Sequence, residues 1–571
     1  MITIRDNWDR AFDGSARADI EGLLPAFLTS SRWFGGKAKT VRSARFSDVL
    51  RIDVDGATMV LGFVEVSYAE GGVETYTVPM TAAFGKEADQ IRRDHANAVI
   101  GSLNVVAPQG NQMGLLYDAL WNEDCVYFLL SSMGHRAQFQ GSSGTLVASA
   151  TPLFNDLAVS PATAPVSVMK AEQSNTSVKF GDRVIMKLYR RVEPGVNPEL
   201  EIGRTLTSRG FRHSPAVVGA LEYTHEGDEP ITLALAQTFV PNQGNAWEYT
   251  LSQLSRYFDV VSALHPKQAS FSPSTIPPLE SPPATNDPFF GFLDAARLLG
   301  RRTAELHLVL GEASHDQAFV PETCPSSYVQ SRVQAMRLSA TRSLTLLRGR
   351  MPVLSESDQE QGRQVLGQED AILNRLSALS TVPSTTVRIR CHGDYHLGQV
   401  LYTGKDFVII DYEGEPARPL AERRAKHIPI VDLAGMIRSF HYAAHVALRQ
   451  RLNRSTQPAA ESLAPWAEHW YQSARAAFLT GYRAVAGQAP FSPQSQQGFN
   501  LLLEVHVLEK AIYELTYELN NRPDWVTLPL TGILQCLDTS AAAVAPGDGA
   551  HRMEIDNNPS SAGQPRDEVN L

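Results

Sequence analysis

The stretch CHGDYHLGQVLYTGKDFVIIDYEGEP (391–416) decides how the rest of the chain is read. It sets Asp394 and Gln399 five residues apart, then the apolar run DFVIID (406–411), which reads as a buried strand ending in Asp411. His392 and His396 flank Asp394. Acids that only cap turns need no such spacing. A carboxylate, an amide five residues on and a second carboxylate behind a buried strand suit a site that orients a hydroxyl and holds a hard cation through oxygen ligands.

The order matches the kinase pattern H-x-D-x-x-x-x-N, strand pair, Asp. On that reading Asp394 accepts the proton of an attacking hydroxyl, and Gln399 and Asp411 hold Mg²⁺. His392 reads as a backbone-bonding loop residue. His396 is open to a structural or a substrate role, and Cys391 reads as a packed strand residue.

Working outward, no G-x-x-x-x-G-K-[ST] is present, which removes the P-loop NTPases. Residues 166–190 read as three short strands, with Gly181-Asp182 at the second turn. Lys187 interrupts the apolar strand VIMKLYR, and a buried lysine is costly unless paired. A kinase points it at ATP phosphates and pairs it with a helical glutamate. Glu199 and Glu201 are the candidates, and Glu201 is preferred. Upstream, in AEQSNTS (171–177), Ser174, Asn175 and Ser177 can offer donors to phosphates. The run ALAQTFVPNQGNAW reads as an inter-lobe hinge, with backbone from Thr238 to Val240 facing adenine.

The remaining pattern is a β-rich first half and a mainly helical second half. Alternation around AEGG predicts a hairpin over 57–80. Pro198 and Gly210 bracket a helix. Leu299, Thr303, Leu306 and Leu310 share one helical face, as do Val505, Leu508, Ile512, Leu515 and Leu519. Tyr513 and Tyr517 lie on a different face, with Trp525 beyond the helix end. They suit either a sugar-stacking platform or core packing. Residues 270–289 read as an exposed Pro/Ser-rich insertion, and the last residues as a disordered tail.

The chain has 571 residues, 43% hydrophobic and 20% charged, with a net charge of −10. Two or three domains are expected. The interspersed acidic balance speaks against nucleic-acid and membrane-surface partners. The four distant cysteines read as reduced thiols of a cytoplasmic protein.

RWFGGKAK (32–39), EQSNTSVKFGDRVIMKLYRR (172–191), CHGDYHLGQVL (391–401), IIDYEGEPARPLAERRAKHIPIVDLAGMIRSFHYAA (409–444) and EKAIYELTYELNNRPDW (509–525) together resemble the bacterial maltokinases. The resemblance runs through nearly the whole chain. It implies an α+β, bilobal protein-kinase-like (aminoglycoside phosphotransferase-like) fold. The expected division is an N-terminal cap over 1–95, an N-lobe with an intermediate subdomain over 96–242, a helical C-lobe over 243–545 and a tail over 546–571. RWFGGKAK then reads as a cap packing motif.

The resemblance also implies ATP- and Mg²⁺-dependent phosphorylation of maltose at the anomeric hydroxyl. The maltose 1-phosphate formed would feed α-glucan synthesis, in association with a trehalose–maltose interconverting enzyme. Glu413, Glu415 and Arg418, just after Asp411, are placed to bond sugar hydroxyls, or Arg418 pairs with Glu422 to fix the loop. The sugar-side candidates are therefore His396, Glu413, Arg418, Tyr517 and Trp525. Two other readings are kept: a kinase for another sugar such as glucosamine, and a catalytically inactive maltodextrin-binding regulator.

Overall fold

Strands β1 (Ile2–Arg5), β2 (Val41–Val54), β3 (Ala57–Tyr68), β4 (Val73–Phe84), β5 (Val99–Ala107) and β6 (Gly110–Asp118) form the first sheet of this computed structural model, in the order β1-β5-β6-β4-β3-β2. The structure describes residues 1–571 except 6, 15, 55–56, 108–109, 158–163, 170–173, 226, 265–287, 382, 384, 417, 455–459 and 544–571. The expected hairpin is β3–β4. Its turn uses Gly71 and Gly72 at φ +92° and +89°, a backbone region that side chains with a Cβ rarely enter. The Ala16–Ser30 helix buries Ile20, Leu24, Phe27 and Leu28 against one face of the sheet. Because β5 and β6 complete this sheet, the expected boundary at residue 95 falls inside it.

The second sheet runs β7 (Gln138–Gln140), β8 (Gly144–Ala150), β13 (Val217–His225), β14 (Ile231–Thr238), β11 (Val184–Tyr189), β10 (Asn175–Phe180), β9 (Val166–Val168). The first sheet packs directly on it, since Leu50, Ile52, Leu61 and Phe63 share one buried cluster with Val178, Met186 and Leu235. The two are also sewn edge to edge. A short strand β12 (Arg191–Val192) pairs with β4. The Thr77 N–H donates to the Arg190 carbonyl at 2.7 Å, and the Thr77 hydroxyl donates to the Tyr189 carbonyl at 2.7 Å. Below the seam the Arg190 guanidinium pairs with Asp118 at 2.5 Å, both buried, and lies over the Trp33 ring. Within RWFGGKAK, Phe34 is buried in the core of the first sheet and Trp33 packs against it, while most of the other residues are exposed.

The Pro198–Ser208 helix follows β12. The Asn197 side chain accepts the Glu199 N–H at its start, and Gly210 follows its end at φ +69°. Beyond β14 the chain crosses to the helical lobe. Residues 243–245 pair with the Val400–Tyr402 strand there, with the Gln243 N–H donating to the Tyr402 carbonyl at 2.8 Å. The lobe is built on the helices Pro288–Leu310, Ser326–Arg350, Ile430–Arg454, Ala460–Ala486 and Gln496–Asn521. Both leucine faces read from the sequence are buried in one core. Gly300 and Gly481 let the first and fourth of these helices cross backbone to backbone, because a Cβ at either would collide with a carbonyl of the other helix. DFVIID forms only a three-residue strand, Phe407–Ile409, hairpinned to Val400–Tyr402. Most of the expected insertion and all of the expected tail lie outside the described residues.

Candidate active site

The loop before Gln399 is held from beneath. Asp432, wholly buried at the start of the Ile430–Arg454 helix, accepts the N–H groups of His392 and Gly393 at 2.8 and 3.0 Å. His307 Nε2 lies 3.0 Å from Asp432, and its other ring nitrogen meets the Tyr482 hydroxyl. Burial pushes the Asp432 carboxyl up, but these bonds outweigh it and hold it below the usual range. The His392 ring reaches the Ile410 carbonyl at 2.9 Å, tying the loop to the segment entering Asp411. His392 thus bonds backbone, as expected. Gly393 sits at φ +84°, a backbone region that residues with a Cβ rarely adopt, and it passes close to the backbone of Gly414. Asp394 emerges from this frame. The His396 ring accepts the Gly398 N–H at 3.0 Å and lies 3.9 Å from Asp394, and burial lowers its pKa.

Asp411 occupies the left-handed region at φ +65°, one of two such non-glycine residues among those described. One of its oxygens accepts the Gln399 amide at 2.7 Å, and the other meets Lys187 at 2.7 Å. Lys187 crosses from β11 to contact Glu199 at 3.0 Å and Glu413 at 2.5 Å as well. Burial opposes the ammonium, but the carboxylates prevail and raise its pKa. Glu199 is raised in turn, by burial and by neighbouring Asp411 and Glu413, since one lysine cannot balance three carboxylates. The partner glutamate is therefore Glu199, also held by the Tyr189 hydroxyl at 2.8 Å, and not Glu201. Two residues apart on a helix, they point to nearly opposite sides. Glu201 faces Arg390 and Arg424 instead.

On β10, Ser177 lies buried opposite Lys187 in the strand register. The Asn175 amide donates to Glu413 at 3.0 Å, and Ser174 is exposed at the loop's end. Residues 171–173 lie outside the described residues. At the hinge, the Thr238 N–H already donates to the Ala216 carbonyl at 2.9 Å, so that donor is not free for adenine, while the Val240 carbonyl accepts the Asn242 amide.

Beside the loop carrying Gly393 a cleft opens, lined by Arg332, Glu415, Arg418, Glu509, Lys510 and Tyr513 among others. Lys510 meets Asp394 at 3.3 Å and Glu415 at 2.6 Å, and its pKa is raised by these carboxylates against the pull of burial. Arg418 pairs with Glu415 at 2.5 Å, with Glu422 near enough to act on its charge but not in a direct ion pair. Arg332 pairs with Glu509 at 2.7 Å. Tyr517 and Trp525 do not line this cleft. They flank Arg522, and Tyr517 is 46% exposed.

Lys510, Arg332 and Glu509 escaped the sequence reading. One signal pointed to Lys510: with Tyr513 and Tyr517 it forms a stripe at spacings of three and four, off the leucine face.

Residues 27–121 match the family described as the maltokinase N-terminal cap domain. Over most of its length the chain superposes on a crystal structure of glucosamine kinase with a TM-score of 0.61 at 18% identity, covering 93% of this chain and 100% of that one. The chain carries a cap of the maltokinase type on a fold shared with glucosamine kinase. A second solved structure, glucosamine kinase with glucosamine, ADP and inorganic phosphate, gives a TM-score of 0.58 at 18% identity, covering 95% of this chain and 100% of that one. Among curated proteins, this capped kinase-fold chain is similar to glucosamine kinase of Mycolicibacterium smegmatis (strain ATCC 700084 / mc(2)155), 24% identical over 66% of this chain and 79% of that one. It is also similar to glucosamine kinase of Streptacidiphilus jiangxiensis, 21% identical over 63% and 70%. Among the described residues no helix is long and apolar enough to cross a membrane.

Proposed function

We propose that this chain transfers the γ-phosphoryl group of ATP to the anomeric hydroxyl of maltose, giving maltose 1-phosphate and ADP. One observation carries the reading: Lys187 of the small lobe meets Asp411, which also holds Gln399, and the loop bearing Asp394 is tied to the segment entering Asp411 through His392. Asp394 accepts the hydroxyl proton as the sugar oxygen bonds to Pγ, and the Pγ–O bond to the β-phosphate breaks. Lys187 pairs with the α- and β-phosphates once they displace Glu413, and Asn175, Ser174 and Ser177 offer polar groups to the phosphates beside it. Backbone from Thr238 to Val240 borders the adenine through its remaining polar groups.

A hard cation fits the donor set. Carboxylate oxygens of Glu199, Asp411 and Glu413 lie within 4.8 Å of one another. Asp411, Glu413 and Gln399, with its amide turned to present oxygen, would hold Mg²⁺. Bound there, it neutralises charge on the phosphates.

A neutral acceptor is favoured by charge. The acceptor cleft already pairs its carboxylates with its own cations, Asp394 and Glu415 with Lys510, and Glu509 with Arg332. A glucosamine ammonium would have to displace Lys510. Maltose needs only hydrogen bonds, which Glu415 and Arg418 are placed to make, with Tyr513 as a ring to stack on. His396 borders the acceptor oxygen through its place beside Asp394. The relatives named glucosamine kinase favour the second reading, an amino-sugar acceptor. An inactive regulator would have no use for the intact Lys187–Asp394–Asp411 set. The proposed setting is the cytoplasm, with the product consumed in α-glucan synthesis.

A panel of sugars with labelled ATP decides the acceptor. Maltose is expected to give an acid-labile 1-phosphate at a kcat/KM at least tenfold above that for glucosamine. The reverse order would replace the maltose reading with the amino-sugar one.

A further inference from the structure

Glu201 touches none of the groups assigned to nucleotide, metal or sugar, yet three segments of the site meet at its carboxylate. It lies on the Pro198–Ser208 helix, two residues from Glu199. One oxygen accepts from Arg390 Nη1 at 2.5 Å and the other from Arg424 Nη2 at 2.9 Å. Arg390 immediately precedes the loop Cys391–Asp394, and Arg424 closes the segment that begins at Asp411.

The chemistry of this contact is that of a fixed joint. Arg390 is 1% exposed, and two of its guanidinium nitrogens have no hydrogen-bond partner among the described residues. Its charge therefore leans on Glu201 and on the Phe319 ring, 5.4 Å away. Such buried pairs add little net stability over apolar packing but penalise any other arrangement heavily. Burial raises the Glu201 carboxyl, yet the guanidiniums of Arg390 and Arg424 outweigh it and keep it ionised.

A second contact beside it is independent. Gly195, at φ +115°, runs so close to Leu420 that a Cβ would come within 2.7 Å of that side chain. Glu193 accepts the Leu420 N–H at 3.4 Å and lies 3.6 Å from Arg423, whose other nitrogen donates to the Glu413 carbonyl at 3.3 Å.

We infer that Glu201 is a positioning residue: holding Arg390 and Arg424 together, it registers the Lys187–Glu199 clamp against both acidic loops and so sets the separation of Lys187 from Asp394. The kinetic side of this inference rests on the proposed kinase reading, but the registration itself does not.

The test uses the full chain with Cys536→Ser, the other three cysteines being buried. Spin labels go at Asp182→Cys on the β10–β11 turn and at Glu360→Cys on the helical lobe, side chains that are 80% and 58% exposed. Electron–electron distance measurements compare the parent with Arg424→Met, Arg424→Lys and Glu201→Gln. Arg424→Met spares the buried Arg390–Glu201 pair and is expected to fold, whereas Glu201→Gln strands Arg390.

The expected result is one narrow distance in the parent, a broadened and longer one in Arg424→Met, and recovery in Arg424→Lys. With turnover as the readout, kcat per folded molecule falls roughly 10- to 100-fold in Arg424→Met, the size expected for misplacement by about 1 Å, with acceptor KM within twofold. An unchanged distance distribution in Arg424→Met overturns the inference, as does a kcat that merely follows the folded fraction. If the parent phosphorylates no sugar, the proposed function fails while the distances still decide the role of Glu201.

Discussion

Two partly buried lysines each gather carboxylates around them, and they are not equivalent. Lys187 comes from a strand of the small lobe and is met by three carboxylates, Asp411, Glu199 and Glu413. Lys510 comes from a helix of the large lobe and is met by two, Asp394 and Glu415. The first cluster keeps surplus negative charge, fit for a divalent cation and a nucleotide. The second is balanced once Arg418 is counted, fit for a neutral acceptor. On the proposed reading, donor and acceptor sides differ in their charge balance.

The contrast is expected to break most severely at Asp394, the partner of Lys510. Asp394→Asn is expected to lower kcat by about 10³–10⁴ while nucleotide affinity, measured by calorimetry, stays within threefold. Retained turnover would remove Asp394 from the proton-accepting role. Lys187→Met is expected next, with a loss of about 10²–10³ in kcat/KM for ATP and little change in acceptor KM. Lys510→Met should do the opposite, raising acceptor KM about 10- to 100-fold with ATP KM nearly unchanged. If both lysine variants shift the same KM, the division of labour between the lobes is wrong.

The smallest effect concerns stability on the acceptor side. Burial, aided by the Arg332 and Arg418 guanidiniums, pushes the His427 imidazole down to about 4. Above about pH 6.5 both folded and unfolded chains keep it neutral. As pH falls toward 4, the unfolded chain takes up a proton that the folded chain refuses, so stability is lost across that window. The loss expected between pH 7 and pH 5 is about 1–2 kcal/mol, and urea titrations of His427→Gln should show that much less pH dependence.

How much of this was legible depends on whether a local pattern carried it. Asp394, Gln399 and Asp411 are close in sequence and separated by a short apolar run, so their grouping could be read directly. Lys187 was visible because it breaks a strand's apolar run. Lys510 was not, because a lysine off the leucine stripe of an amphipathic helix looks like a solvated one. Glu199 and Glu201 show the same limit more finely: helical pattern places both on one helix, but only packing fixes which faces β11. That the Thr238 N–H is already taken could not be read, because its partner, Ala216, lies just ahead of β13, the strand pairing with β14. The boundary expected near residue 95 falls inside the first sheet for a related reason, since β6 pairs with β4 and β5 with β6.

The seam at Thr77, Arg190 and Asp118 has a practical consequence for anyone trimming this protein. Cutting after residue 121 would strip Arg190 of its acid and its indole cover and leave a charged group stranded inside a face that had been interior. The shortest piece of chain able to stand alone is therefore longer than the machinery that handles phosphate. Attempts to shrink the enzyme should begin elsewhere than at its amino terminus.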